Sequence, residues 1–206
     1  MGMTDQFIIP KYSSIVSEFI NKNLKPNSKI AWLGQQQEDK YSDMYRGISR
    51  YIKVPNLIHH FYDIKNDDNS NNSFSWEVHS NWEKDIRDYD LVLGLRLAFL
   101  VQSSSGLARN IKLAVDNNKK VMFDFNTGNI STNTEPPFQR WNEGSTNLIP
   151  HFPELFPFEL DYIVPNKDHL FSSDLLREQG LTFREPRVIK DPVKGRIYVL
   201  TEFVKL

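Results

Sequence analysis

The chain has 206 residues, with 25 Lys and Arg against 26 Asp and Glu, a formal net charge of −1, and no cysteine. A near-neutral balance sets up no global field toward nucleic acid or an anionic membrane. The missing cysteines exclude disulfides, thiol nucleophiles and cysteine-ligated metals. The length suits one domain, large enough to hide roughly 70% of its unfolded surface.

The first residues, MGMTDQFIIP, lack the basic region and long apolar core of a signal peptide. No apolar stretch approaches the ~20 residues of a membrane span. The expectation is a cytoplasmic protein with no membrane partner. Tyr12 to Leu24 places Ile15, Val16, Phe19, Ile20 and Leu24 on one helical face, and Pro26-Asn27 stop it. Lys29 to Leu33 reads as a strand closed by Gly34. Gln36 to Tyr51 carries Tyr41, Met44, Tyr45, Ile48 and Tyr51 at helical spacing. Asn56 to Ile64 is a second strand, KNDDNSNNS a polar loop, and Phe74 to His79 an alternating third strand.

The most informative stretch is Asp90 to Phe125. An apolar run (DLVLGLR) is followed by Leu107, Ile111, Leu113, Ala114 and Val115 at largely helical spacing, then by a second run (KKVMFDF). That is a βαβ unit of a parallel sheet buried on both faces. Ligands of such sheets bind outside the carboxyl ends of the strands, which directs attention to Arg96 and Asn126. From about 126 to 158 the chain is rich in Asn, Thr and Pro with interleaved aromatic residues, and reads as an irregular insertion. Leu160 to Val164 is expected to be a strand, Asp168 to Gln179 a helix stopped by Gly180, and Thr182 to Val188 with RIYVLTEFVKL an antiparallel hairpin around DPVKG.

The segments KIAWLG (29–34), FYDI (61–64), SNWEKDI (80–86), DYDLVLGLR (88–96), KKVMFDF (119–125), DHLFSSDLLREQGLTF and GRIYVLTEFVKL follow one another in an order that resembles the class I S-adenosylmethionine-dependent methyltransferases. The resemblance spans Tyr12 to Leu206 and rests on element order and strand texture. It implies a single α/β domain, a Rossmann-like three-layer sandwich whose mostly parallel sheet ends in an antiparallel C-terminal strand. It also implies S-adenosylmethionine as cofactor and methyl transfer to a small-molecule or sugar-like acceptor. By that resemblance Gly34, Asp63, Asn81 and Trp82 would hold the cofactor. Asp63 would accept the ribose hydroxyls, and Trp82, with Asn81 or Asp85, would meet the adenine. Arg96 and Asn126 would take the catalytic, acceptor-orienting positions. Two departures are plain: Gly34 is followed by Gln35, Gln36, Gln37 and Glu38 where the family carries glycine, and the KNDDNSNNS loop stands where a helix is usual.

Each candidate has a plainer reading. Asp63 suits a strand-end turn, Trp82 suits the core, Arg96 suits a surface ion pair, and Asp124 inside an apolar strand must be paired or face a polar cleft. His59 and His60 are neighbours in a strand and point to opposite faces, and no metal-binding spacing occurs, so no metal is expected. Nucleic acid is not an expected partner, because basic residues are few among the aromatics of 138–158.

Two other classes stay open. Ser103 to Gly106 before a helix also looks like the turn of nucleoside N-glycosidases and deoxyribosyltransferases, but no glutamate lies between Asp85 and Phe125 to serve as their catalytic group. A non-catalytic scaffold or assembly subunit is the third reading. It would act through a protein partner or self-association, helped by aromatic residues near Phe152 to Phe158.

Overall fold

The computed structural model describes residues 8–35, 42–63, 73–75, 82, 86–95, 97, 101, 103–129, 149–151, 170–190 and 196–206. Helix α1 (Ile8–Asn23) leads into β1 (Lys29–Leu33), α2 (Ser42–Ser49), β2 (Ile58–Asp63), β3 (Ser73–Ser75) and β4 (Leu91–Gly94). Then come α3 (Ser104–Asp116), β5 (Lys120–Asn129), β6 (Ile149–His151), β7 (Leu170–Ser172), α4 (Ser173–Glu178), β8 (Leu181–Lys190) and β9 (Arg196–Lys205).

Seven strands form one sheet in the order β3-β2-β1-β4-β5-β9-β8. The first five are mutually parallel, and β9 is antiparallel to both β5 and β8. The mixed, mostly parallel sheet and its antiparallel last strand are as the sequence led us to expect. Beyond β1 the chain builds outward through β2 and β3, then returns to lay β4 on the other side of β1. The topological switch point therefore lies between β1 and β4, at their carboxyl ends.

Strand alternation sorts the core into two layers. Ile30, Trp32, Phe61, Leu91, Leu93, Met122 and Leu200 pack under Tyr12, Val16 and Ile20 of α1 and Ile48 of α2. Ala31, Tyr62, Val92, Val121, Phe123 and Phe203 pack under Leu107, Ile111 and Ala114 of α3 and Leu176 of α4. Each fully buried Val, Leu, Ile, Phe or Met among them contributes about 1.5–3 kcal/mol of transfer free energy. Helix α3 starts where Ser103 caps it by accepting from the Gly106 N–H at 3.1 Å.

Several boundaries differ from the sequence reading by a few residues, and two stretches differ in kind. The helix expected over 168–179 is shorter: Leu170–Ser172 is strand β7, paired parallel with β6, and the helix begins only after Ser172, which caps it by accepting from Leu175 N–H. Phe171 is fully buried and stacks on Phe125 at 5.4 Å, a tertiary contact that outweighs its helical spacing. The stretch expected to be irregular from 126 begins with strand, since β5 runs on to Asn129 with Asn126 opposite Tyr198 and Asn129 opposite Arg196. It also contains β6. The expected strand at 160–164 and the DPVKG turn lie outside the described residues.

A candidate crevice at the carboxyl ends of the strands

Gly34 ends β1 in the left-handed region, at φ 69, and its N–H donates to the carbonyl of Tyr62 at 2.7 Å. The next N–H, of Gln35, donates to the same carbonyl at 3.1 Å, tying the β1 turn to β2. A side chain at Gly34 would bring a Cβ to 2.9 Å from Leu97 Cδ1, so both conformation and space call for glycine. Gln35 is buried, and its side-chain Nε2 donates to the carbonyl of Leu95 at 3.1 Å. Its amide thus bridges the ends of β1 and β4, across the switch point. Beside this bridge, Asp63 stands half-exposed at the end of β2, opposite Ser75 of β3. On the α1 side, the buried Asp124 accepts a hydrogen bond from Tyr12 Oη at 2.8 Å.

No known family description matches the sequence, and no curated protein does. Solved structures match in shape. Magnesium protoporphyrin IX methyltransferase from Synechocystis PCC 6803, with bound SAH, aligns at a TM-score of 0.52 and 9% identity, over 100% of this chain and 90% of that one. The CMeT domain of the citrinin polyketide synthase aligns at 0.52 and 10% identity, over 94% of this chain and 51% of that one. This is the methyltransferase fold. At such identities the likeness is one of architecture, and in this methyltransferase fold the residues at the crevice must be judged from their own surroundings.

Of the six residues singled out from the sequence, Gly34 and Asp63 stand at the crevice. Trp82 has no exposed surface; its ring stacks on Phe123 at 6.3 Å and 13°. It belongs to the α3-side core. Asn126, expected just past the end of its strand, lies inside β5 opposite Tyr198, three residues before the strand ends at Asn129. Asn81 and Arg96 lie outside the described residues, as do Asp85 and the side chain of Thr127.

Three features escaped the sequence reading. In the sequence Gln35 stands out only as a bulky residue where the resembling family carries glycine, and nothing local signals its reach across 60 positions to Leu95. Tyr12, read as part of a helical face, supplies the partner that a carboxylate inside an apolar strand requires. The third is an aromatic relay: His60 Nδ1 lies 2.5 Å from Tyr89 Oη, which lies 2.6 Å from Tyr62 Oη. His60 and Tyr62, two apart in β2, share a face, a signal the alternation carried.

The two histidines do point to opposite faces. His59 accepts from Trp32 Nε1 at 3.0 Å on the α1 side, and burial, with the neighbouring His60 charge second, lowers its pKa to about 4. Burial, then Lys29, also lowers that of His60. Both rings are thus favoured neutral near pH 7. Among the described residues no group of three His, Asp or Glu is arranged to hold a metal ion, and no helix is long and apolar enough to cross a membrane.

Proposed function

We propose that the crevice binds S-adenosylmethionine and that the protein transfers its methyl group to a small-molecule or sugar-like acceptor. The observation that carries this reading is the placement of a half-exposed carboxylate, Asp63, beside the β1 turn at the switch point of a methyltransferase fold. The fit is best for a nucleoside. Asp63 can accept two hydroxyl donors at once, and the Gly34 turn keeps the β1 end low. The cofactor, when bound, supplies an electrophilic methyl group on a sulfonium.

The protein's own part is to hold two reactants in line, which supplies much of the rate in such a transfer. Asn81 would complete the nucleoside contacts, while Trp82 would support them from the core beneath. Arg96 would orient an acidic acceptor with its guanidinium, Asn126 would offer an amide, and the 126–158 segment would cover the acceptor within a single domain.

Gln35 favours a second reading. Its amide fills the interval between β1 and β4, as would suit a scaffold kept for its surface and its protein partners. Calorimetric titration of S-adenosylmethionine and S-adenosylhomocysteine separates the two. Micromolar binding in the wild type that is weakened about tenfold or more in Asp63→Ala supports the enzyme. Absence of heat at millimolar ligand in the wild type favours the scaffold.

A further inference from the structure

A cavity of about 110 Å³ lies under the antiparallel edge of the sheet, between α1 and the β5-β9-β8 strands. Ile15 and Phe19 of α1 form one apolar wall, and on the sheet side the apolar Met122 adjoins Arg184, Arg187 and the buried Glu202. The register of β8 explains how two arginines three positions apart reach the same space. Arg184 pairs with Glu202 and Arg187 with Leu200, so three steps along β8 match two along β9. In a regular strand residues three apart face opposite ways. The extra residue of this bulge turns Arg187 back to the face of Arg184. Glu185, inside the bulge, adopts φ 46, a conformation few side chains tolerate.

The charges around the cavity are unevenly committed. Glu202 takes Lys120 at 2.8 Å, leaving Arg184 at 4.0 Å. Glu185 lies 3.8 Å from Lys22, both well exposed. Glu18 sits on the α1 rim. Arg187 makes no salt bridge among the described residues. The corner with the fewest ion pairs is therefore the solvent-accessible cationic one between Arg184 and Arg187, and it faces an apolar wall.

We propose that this cavity is a second ligand site, distinct from the crevice, for a small organic oxyanion. A carboxylate or phosphate head would sit on the Arg184 and Arg187 forks, and one ring or short chain would lie against Phe19 and Met122. A cavity of this order holds roughly a single six-membered ring.

The test is an amide chemical-shift titration of the full chain with benzoate and with phenyl phosphate, using benzylamine as the cationic counterpart. The expected result is saturable shifts at Phe19 and Arg187 with at least one anion and none with benzylamine. Arg187→Ala, an exposed position whose loss leaves the core intact, should weaken binding about tenfold or more, and Lys112→Ala, on α3 across the opposite face of the sheet, should leave it unchanged. Stronger response to benzoate or to phenyl phosphate tells carboxylate from phosphate. Unchanged affinity in Arg187→Ala, equal binding of benzylamine, or no saturable response to either anion overturns the proposal.

Discussion

The five parallel strands and the β8–β9 ribbon are built on different terms. In the parallel half the two central strands are short (four residues in β4, five in β1), buried on both faces, and paired with their parallel neighbours without a register shift, and the ten-residue β5 slips register only where it meets the antiparallel β9. Their turns use residues suited to left-handed backbone, namely Asn27, Gly34, Asn56 and Asn118. The ribbon strands run ten residues each, slip register at Arg184/Arg187, and carry a part-buried charge cluster of Lys120, Glu202 and Arg184. There the left-handed residue is Glu185, which has no intrinsic preference for it. A short strand packed on both sides has no slack, so its constraints are steric and local. A long edge strand can absorb an extra residue and use it to aim side chains; the same bulge, with Pro186 and exposed charges, also blunts the edge against pairing with another chain.

That contrast breaks first at Gly94. A Cβ there would stand 2.2 Å from the ring of Phe123, which is fully buried between Trp82 and Phe203. Gly94→Ala should cost about 3 kcal/mol or more, read as a lower urea midpoint at unchanged slope. A loss under about 1 kcal/mol would mean the parallel half has slack after all.

Acid probes the same half more gently. The folded pKa of His59, about 4, lies below the 6.5 of an unfolded histidine, so between those values the unfolded chain binds the extra proton. The stabilisation from a neutral His59 is present above pH 6.5 and is lost as pH falls through 4. After allowing for its partial exposure, about 2 kcal/mol should disappear. Urea unfolding from pH 7.5 down to 4.5 measures it, and His59→Asn should flatten the slope. An identical slope in that variant would place the titrating group elsewhere.

At the crevice, Asp63→Ala should weaken S-adenosylhomocysteine about tenfold, or about 1.4 kcal/mol, with little change in thermal midpoint. A large drop in midpoint would recast Asp63 as a structural turn residue.

The smallest effect belongs to the ribbon. Glu185→Gly relieves a left-handed side chain at the cost of a more flexible unfolded chain, and should stabilise by about 0.5–1 kcal/mol. Its exposed pairing with Lys22 contributes little. If calorimetry shows the variant less stable, the bulge is not strained and the contrast between the two regions loses its basis.

Much of this molecule was legible before any tertiary information. Apolar runs and helical spacing place β1, β2, β4, β5, α1, α3 and the closing hairpin, because burial on both faces leaves a continuous apolar signature in a parallel strand. Gly34 and Asp63 are legible as strand ends by the same logic, and the resemblance, not periodicity, marks them as cofactor positions. The Leu170–Ser172 strand was not legible: its apolar residues fit a helix equally well, and its pairing with Ile149–His151 decided the matter. Trp82 could have been core or crevice on any local criterion; contact with Phe123, 41 positions away, sends it to the core. The Gln35 bridge to Leu95, the Tyr12–Asp124 pair and the shared face of Arg184 and Arg187 belong wholly to the tertiary structure. Periodicity records how each segment meets water. Which polar groups meet one another depends on strand order and register, and those are set by long-range packing that no single segment encodes.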